Sequence, residues 1–378
     1  MASRDRRATF VDPRVELEAG YTGLQRRFLE LVIEERWFLL LLCAGFTLAG
    51  ATYATPSVAM WVGFLFAGYA VVANDSIQTI GTFIASNKQR PWWLLWLFIG
   101  GLMVATLSWS WVANSGDVSF HRLSAKGFET APTQFAFLQI AGPLFLLIMT
   151  RLRMPVSTTF LLLTSFATST DGVGKVLEKS VIGYGLAFVV AISVWLLAGR
   201  LMHDRFKGEA HPIWNLAQWC STSVLWVMWL VQDAANVAVF LPRQLEFGQF
   251  LVFVGVLFAG LGVLFKLGGD KIQQVVDEKS AVVDVRHATV IDAVYAVILL
   301  VFTVWSHVPM STTWVFIGLL AGREIGIHVT RAKAERRTRQ ELVRLVLRDL
   351  IMVWIGLCVS LFIAVLVNPG LKASLFGL

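Results

Sequence analysis

The chain has 378 residues, of which 56% are hydrophobic and 15% charged, with a mean hydropathy of +0.67. Soluble domains carry about 25% charged residues, so an ordinary water-soluble fold is excluded. The formal net charge of +7 comes from Lys and Arg crowded between apolar runs, where a membrane protein keeps its cytoplasmic segments, and requires no nucleic-acid partner.

In chain order, residues 13 to 35 mix acids and arginines with Leu24, Phe28 and Val32 at helical spacing, which predicts an amphipathic surface helix inside a cytoplasmic segment 1–36. Arg6-Arg7 is followed by charged residues and no small-residue cleavage site, so the segment is expected to be retained. About 20 apolar residues cross a bilayer as a helix. Eleven predicted spans follow, at 37–54, 57–86, 92–113, 134–150, 155–170, 179–199, 214–241, 247–267, 289–306, 310–328 and 348–367. With the N-terminus cytoplasmic and every span crossing, 26 of the 32 Lys and Arg fall inside, as the positive-inside bias demands. Arg331 to Arg348 is basic and partly amphipathic, and reads as a cytoplasmic helix facing anionic lipid. The cysteines Cys43, Cys220 and Cys358 lack paired spacing, indicate neither a disulfide framework nor a metal cluster, and read as small core residues.

Two motifs recur. Asn74-Asp75-x-x-Gln78 is answered by Gln232-Asp233-x-x-Asn236, and Pro155-Val156-Ser157-Thr158-Thr159 by Pro309-Met310-Ser311-Thr312-Thr313, in the same order and at nearly the same separation. Five predicted spans per copy is an odd number, so the second copy enters the membrane inverted. Secondary transporters built this way bind substrate near the midplane, at interrupted helices. An Asp at the centre of a membrane helix costs roughly 2.5 to 3.5 kcal/mol, which singles out Asp75 and Asp233 as functional. A carboxylate flanked by amides suits a hard cation or a proton, and Thr82, beside Gly81, lies where the helix can break. The Pro-x-Ser-Thr-Thr segments suit helix starts whose hydroxyls and amides hold an anion; the competing reading is two ordinary N-caps.

On these residues the chain resembles the inorganic phosphate transporter (PiT) family. Asn74-Asp75-x-x-Gln78-x-x-Gly81-Thr82 is similar to that family's Gly-Ala-Asn-Asp signature, and the Ser-Thr-Thr segments to its Pro-x-Ser-Thr-Thr-His motif, with Phe160 and Trp314 in place of the His. The resemblance spans most of 57–328. The residues predict an all-α polytopic membrane protein with inverted repeats at 37–170 and 179–328, interrupted helices at the site, a basic helix at 329–347 and a last span and tail at 348–378. The resemblance implies symport of inorganic phosphate with Na⁺ or H⁺. Sulfate or another small oxyanion is the alternative substrate, and a passive anion channel the alternative mechanism. Ser157, Thr158, Thr159, Ser311, Thr312, Thr313, Asn74 and Gln232 are the expected substrate residues. Asp75, Gln78, Asp233, Asn236 and Thr82 are the expected coupling residues, with Na⁺ at Asp75 and Asp233. No enzyme activity and no other cofactor is expected. The expected location is the plasma (inner) membrane, with lipid and a second copy of the chain as the expected macroscopic partners. His307 and the pair Arg323 and Glu324 are expected at the membrane interface.

Overall fold

The computed structural model describes residues 32–125, 127–152, 154, 156–167, 169–206, 208–268, 284–330, 338–368 and 371–373. The predicted amphipathic helix at 13–35 lies largely outside the described residues, as do residues 331–337 of the basic run and Pro155; from Thr338 on the run is described and opens the helix Arg339–Val367, continuous with the last predicted span. All regular structure among the described residues is helical. The chain forms two compact units, Met1–Leu48 and Ala49–Leu378.

The helices are α1 (Arg36–Thr52), α2 (Pro56–Ser86), α3 (Trp92–Ala113), α4 (Phe137–Arg151), α5 (Thr158–Leu161), α6 (Thr170–Arg205), α7 (Ile213–Ala238), α8 (Phe247–Lys266), α9 (Val285–Trp305), α10 (Thr312–Thr330) and α11 (Arg339–Val367). Six of them, α2, α3, α6, α8, α9 and α11, are long and apolar enough to cross a membrane, as a multi-pass membrane protein requires. The predicted spans 214–241 and 310–328 correspond to the more polar helices α7 and α10, of 26 and 19 residues. Those at 37–54 and 134–150 correspond to helices of 17 and 15 residues.

Among the described residues, the predicted span at 155–170 is not a continuous helix. Ser157 caps a single turn, α5, and the Thr164 and Ser165 hydroxyls then bond to the carbonyls four residues back, Phe160 O and Leu161 O. The turn tightens to a 3₁₀ geometry over Leu163–Phe166 and ends at Ala167. Hydroxyls that compete for helix carbonyls loosen a helix in this way. Gln139 Nε2 donates to Ser165 O at 3.0 Å and the Phe135 and Phe166 rings lie 6.2 Å apart, so α4 and the α5 strand of chain begin and end at one level. Together they form a hairpin.

Contacts fix the direction of the other helices. Along α6 and α10 the meeting pairs are Tyr184 with Gly318, Phe188 with Gly322 and Trp195 with Gly326, so the two helices run parallel. A Cβ on Gly318 or Gly322 would strike a backbone carbonyl of α6, and one on Gly326 would lie 2.5 Å from Trp195 Cβ. Small residues every fourth position let membrane helices approach to backbone contact. Helices α7 and α9 are also parallel, joined by Thr222 with Asp292 and Gln232 with Thr303. Helix α2 runs antiparallel to α7: Asn87 meets Gln218 at 2.9 Å at one end, and Gly63 lies against Phe240 at the other. Arg286, at the start of α9, donates to Phe206 O and Gly208 O at the end of α6, and α10 returns alongside α9 after the turn at Ser306–Ser311.

Two surface expectations change. Cys43, Cys220 and Cys358 are exposed rather than in the core. Arg323 is 4% exposed, pairs with Glu324 at 2.8 Å and lies over the Trp195 ring, because its face of α10 is the one turned to α6. His307 is exposed, with its ring 6.4 Å from that of His121.

Candidate substrate and coupling-ion site

The first Asp motif occupies a local widening of α2. Residues Val72–Ser76 adopt a π-type turn, which inserts an extra residue into the helical repeat; such turns gather at functional sites. Asn74 and Asp75 are 0% and 1% exposed there. Asn74 Nδ2 donates to Asp75 Oδ1 at 2.6 Å and to Val156 O at 2.8 Å, and Gln78 Nε2 reaches Asp75 Oδ1 at 3.4 Å. The tip of the α4–α5 hairpin thus lies against the widened turn. On α7, Asp233 is 1% exposed and its Oδ1 accepts from Asn236 Nδ2 at 2.6 Å, one turn on.

The two Ser-Thr-Thr segments close the arrangement with matching roles. The Thr158 hydroxyl donates to Asp75, and the Thr312 hydroxyl donates to Asp233 Oδ2 at 2.5 Å. The next threonines cross over: Thr313 reaches Asp75 Oδ1 at 3.4 Å, while Thr159 donates to Met310 O at 3.2 Å and accepts from Asn236 Nδ2 at 3.1 Å. Asn236 Nδ2 also reaches Thr158 at 3.0 Å. Each serine stays with its own helix, Ser157 accepting from Phe160 N and Ser311 from Trp314 N, both at 3.3 Å. The serines are therefore N-caps, and the threonines are the side chains aimed at the carboxylates. Phe160 and Trp314, standing where the resembled motif has His, pack against each other with ring centroids 5.6 Å apart.

The polar accounting of this cluster is lopsided. Asn74 Oδ1, Gln78 Oε1 and Asn236 Oδ1 are buried acceptors with no hydrogen-bond partner. Buried polar atoms are nearly always satisfied, so three orphans of one kind in one place ask for a donor or a cation. Two carboxylates and three amide oxygens form the kind of oxygen shell that holds a hard cation. Among the described residues no group of three or more His, Cys, Asp or Glu side chains suits a metal ion, so a transition-metal centre is not indicated there.

Two expected residues point elsewhere. Gln232 leaves the cluster for Thr303 on α9; with its amide oxygen toward the donors it accepts from Thr303 N and Arg122 Nη2, both at 3.2 Å. Thr82 donates at 2.6 Å to Asp292, a fully buried carboxylate on α9 that also accepts from Thr222 at 2.5 Å. Asp292 was missed because it has no partner in the first motif set. Sequence reasoning also missed two buried cations, Arg122 at 1% and Lys179 at 5% exposure. Arg122 donates to Val231 O at 3.3 Å and to Ser306 O; Lys179 Nζ donates to Ser306 O at 2.9 Å and Val308 O at 2.5 Å. Burial pushes the Arg122 guanidinium down to about 10, with the Asp233 carboxylate pulling the other way. Both basic residues stood outside the centres of the predicted spans, which is why neither drew notice.

Comparison with protein-family models, with curated proteins and with solved structures finds no match to this chain.

Proposed function

We propose that this protein is a secondary active transporter that carries a small inorganic oxyanion, phosphate first, in symport with Na⁺ or H⁺, and that it is a divergent relative of the inorganic phosphate transporters. One observation carries the reading: two buried carboxylates, each bonded by a threonine of the nearer Ser-Thr-Thr segment, meet at a centre where three amide oxygens lack partners. A transporter that couples cations to an anion needs both kinds of group within reach of one another, and these acceptors and hydroxyls supply them. Cations at Asp75 and Asp233 would turn the threonine hydroxyls from the carboxylates toward the anion, which is then held by hydroxyls and co-bound cations.

The inverted repeat belongs to the same proposal. The matching roles of Thr158 and Thr312, and the opposite runs of α2 and α7, support two copies related by a pseudo-twofold axis. The α4–α5 hairpin and the α9–α10 pair then play equivalent parts, each ending its turn at the centre.

The test is uptake of labelled phosphate and sulfate into proteoliposomes under imposed Na⁺ or pH gradients. Concentrative uptake that vanishes in Asp75→Asn and in Asp233→Asn, with both variants still monodisperse, is the expected result. Uptake that only dissipates a gradient indicates a channel, and wild-type coupling in either variant removes that carboxylate from the mechanism.

A further inference from the structure

Six Lys and Arg fall outside the segments assigned to the cytoplasm, and Arg122, Lys175 and Lys179 are three of them. They converge in space. Lys175 and Lys179, with Ile182 on the next turn of α6, line a cavity of about 360 Å³ whose far wall is Ser306 and Val308. Arg122 sits behind that wall and shares the Ser306 carbonyl with Lys179. Glu178 also lines the cavity, and Lys175, half exposed, is paired at 3.4 Å with Asp171.

Lys179 and Arg122 differ from Lys175. Among the described residues neither has a carboxylate within ion-pair distance; Lys179 spends its protons on main-chain carbonyls, and Arg122 on main-chain carbonyls and the Gln232 amide oxygen. An ammonium has three donors, and two of those on Lys179 go to Ser306 O and Val308 O, leaving the third for the cavity. Two buried positive charges that face carbonyls rather than acids leave a positive potential in the space beside them, and a low-dielectric wall focuses it. The wall is also short: Val308 lies two residues before Met310, whose carbonyl accepts from Thr159, and Ser311–Thr313 follow at once. Cavity and threonine cluster are the two faces of one turn.

We propose that this cavity is an anion antechamber, in which an inorganic oxyanion is captured by Lys179, with Arg122 contributing charge from behind, before passing to the threonines. Passage onward rests on the transport reading; capture does not.

Ile182, 41% exposed, provides the reporter. In a protein whose three cysteines are replaced by Ser, Ile182→Cys is reacted with an anionic methanethiosulfonate (ethylsulfonate) and a cationic one (ethyltrimethylammonium), in nanodiscs of phosphatidylcholine alone or with phosphatidylglycerol. Trp305→Cys on the opposite wall is the second reporter should the first not fold. The anionic reagent is expected to react roughly tenfold faster than the cationic one, in line with electrostatic focusing in a charged cleft. Inorganic phosphate or sulfate should slow it in phosphatidylcholine discs, and Lys179→Gln should bring the two rates together. Equal rates in the parent protein overturn the proposal, and so does slowing by phosphatidylglycerol without slowing by inorganic phosphate, which makes the occupant a lipid headgroup. Uptake is measured on the same proteins. Anion protection without any uptake leaves the antechamber standing and removes the transporter, whereas coupled uptake with equal labelling rates does the reverse.

Discussion

At the scale of single residues, the serines and threonines of the repeated segment divide their labour. Ser157 and Ser311 each satisfy a backbone amide three residues on, so Ser→Ala there removes a cap, which costs about 0.5 to 2 kcal/mol. Thr158 and Thr312 instead donate to buried carboxylates. A hydrogen bond to a charged group is worth about 1.5 to 3 kcal/mol, so Thr158→Val and Thr312→Val should weaken apparent phosphate affinity roughly tenfold to a hundredfold at saturating cation. The serine variants should instead lower thermal stability and move affinity less. Affinity loss confined to one of the two threonines would speak against equivalent roles. Asp292 makes a simpler case. Asp292→Asn keeps an acceptor for Thr82 and Thr222, whereas Asp292→Leu strands both hydroxyls; melting in detergent should fall for Leu and change little for Asn.

Among the elements, the close pair α6 and α10 depends on three glycines at four-residue spacing. The obstacles to a Cβ at Gly318 and Gly322 are backbone carbonyls, which cannot swing aside as a side-chain tip can. Overpacking of this kind costs about 1 to 3 kcal/mol per site, so Gly318→Ala and Gly322→Ala should each lower the melting temperature, while Gly185→Ala, which meets nothing within 4 Å, should not. These glycines were in plain view in the sequence. They passed unremarked because helices were sought there by apolar run length, and spacing of small residues says which helices touch only once a partner is known. The carboxylates were legible for the opposite reason: a charge inside an apolar run is costly enough to stand out alone. The widened turn at Val72–Ser76 was not found in the sequence, where the expected break lay beside Gly81 and Thr82, residues that the structure keeps inside the continuous helix Ile77–Ser86. The interruption at 155–170 was missed by the same method, which weighed apolarity and not the hydroxyls that compete for the helix carbonyls.

For the whole molecule, charge predicts an orientation in the membrane that labelling can test. The connection at 87–91 and the loop at 239–246 lie at opposite ends of the antiparallel helices α2 and α7. Cysteines replacing the exposed Gln89 and Gln244, in a background without the native three, should react with impermeant reagent from opposite faces, Gln89 from the cytoplasm. Reaction from one face for both would break the topology and with it the repeat. Coupling has an electrical floor. Each charge crossing 100 mV is worth about 2.3 kcal/mol, so a divalent anion entering a negative interior needs about two monovalent cations merely to cancel the field. Two carboxylates at the centre match that number.

The seam between α6 and α10 also constrains motion. Helix α10 begins at the threonines and α6 carries Lys179, and along their shared length the glycines hold the two backbones too close to slide past each other without collisions, while parting them would give up that contact. Any rearrangement that opens the centre to one side must then carry the lysine and the Thr312–Thr313 end together, as neighbours at one end of a single rigid unit. A displacement of either would be felt at the other at once, through the Ser180 hydroxyl that accepts from the Ser311 amide at 2.9 Å.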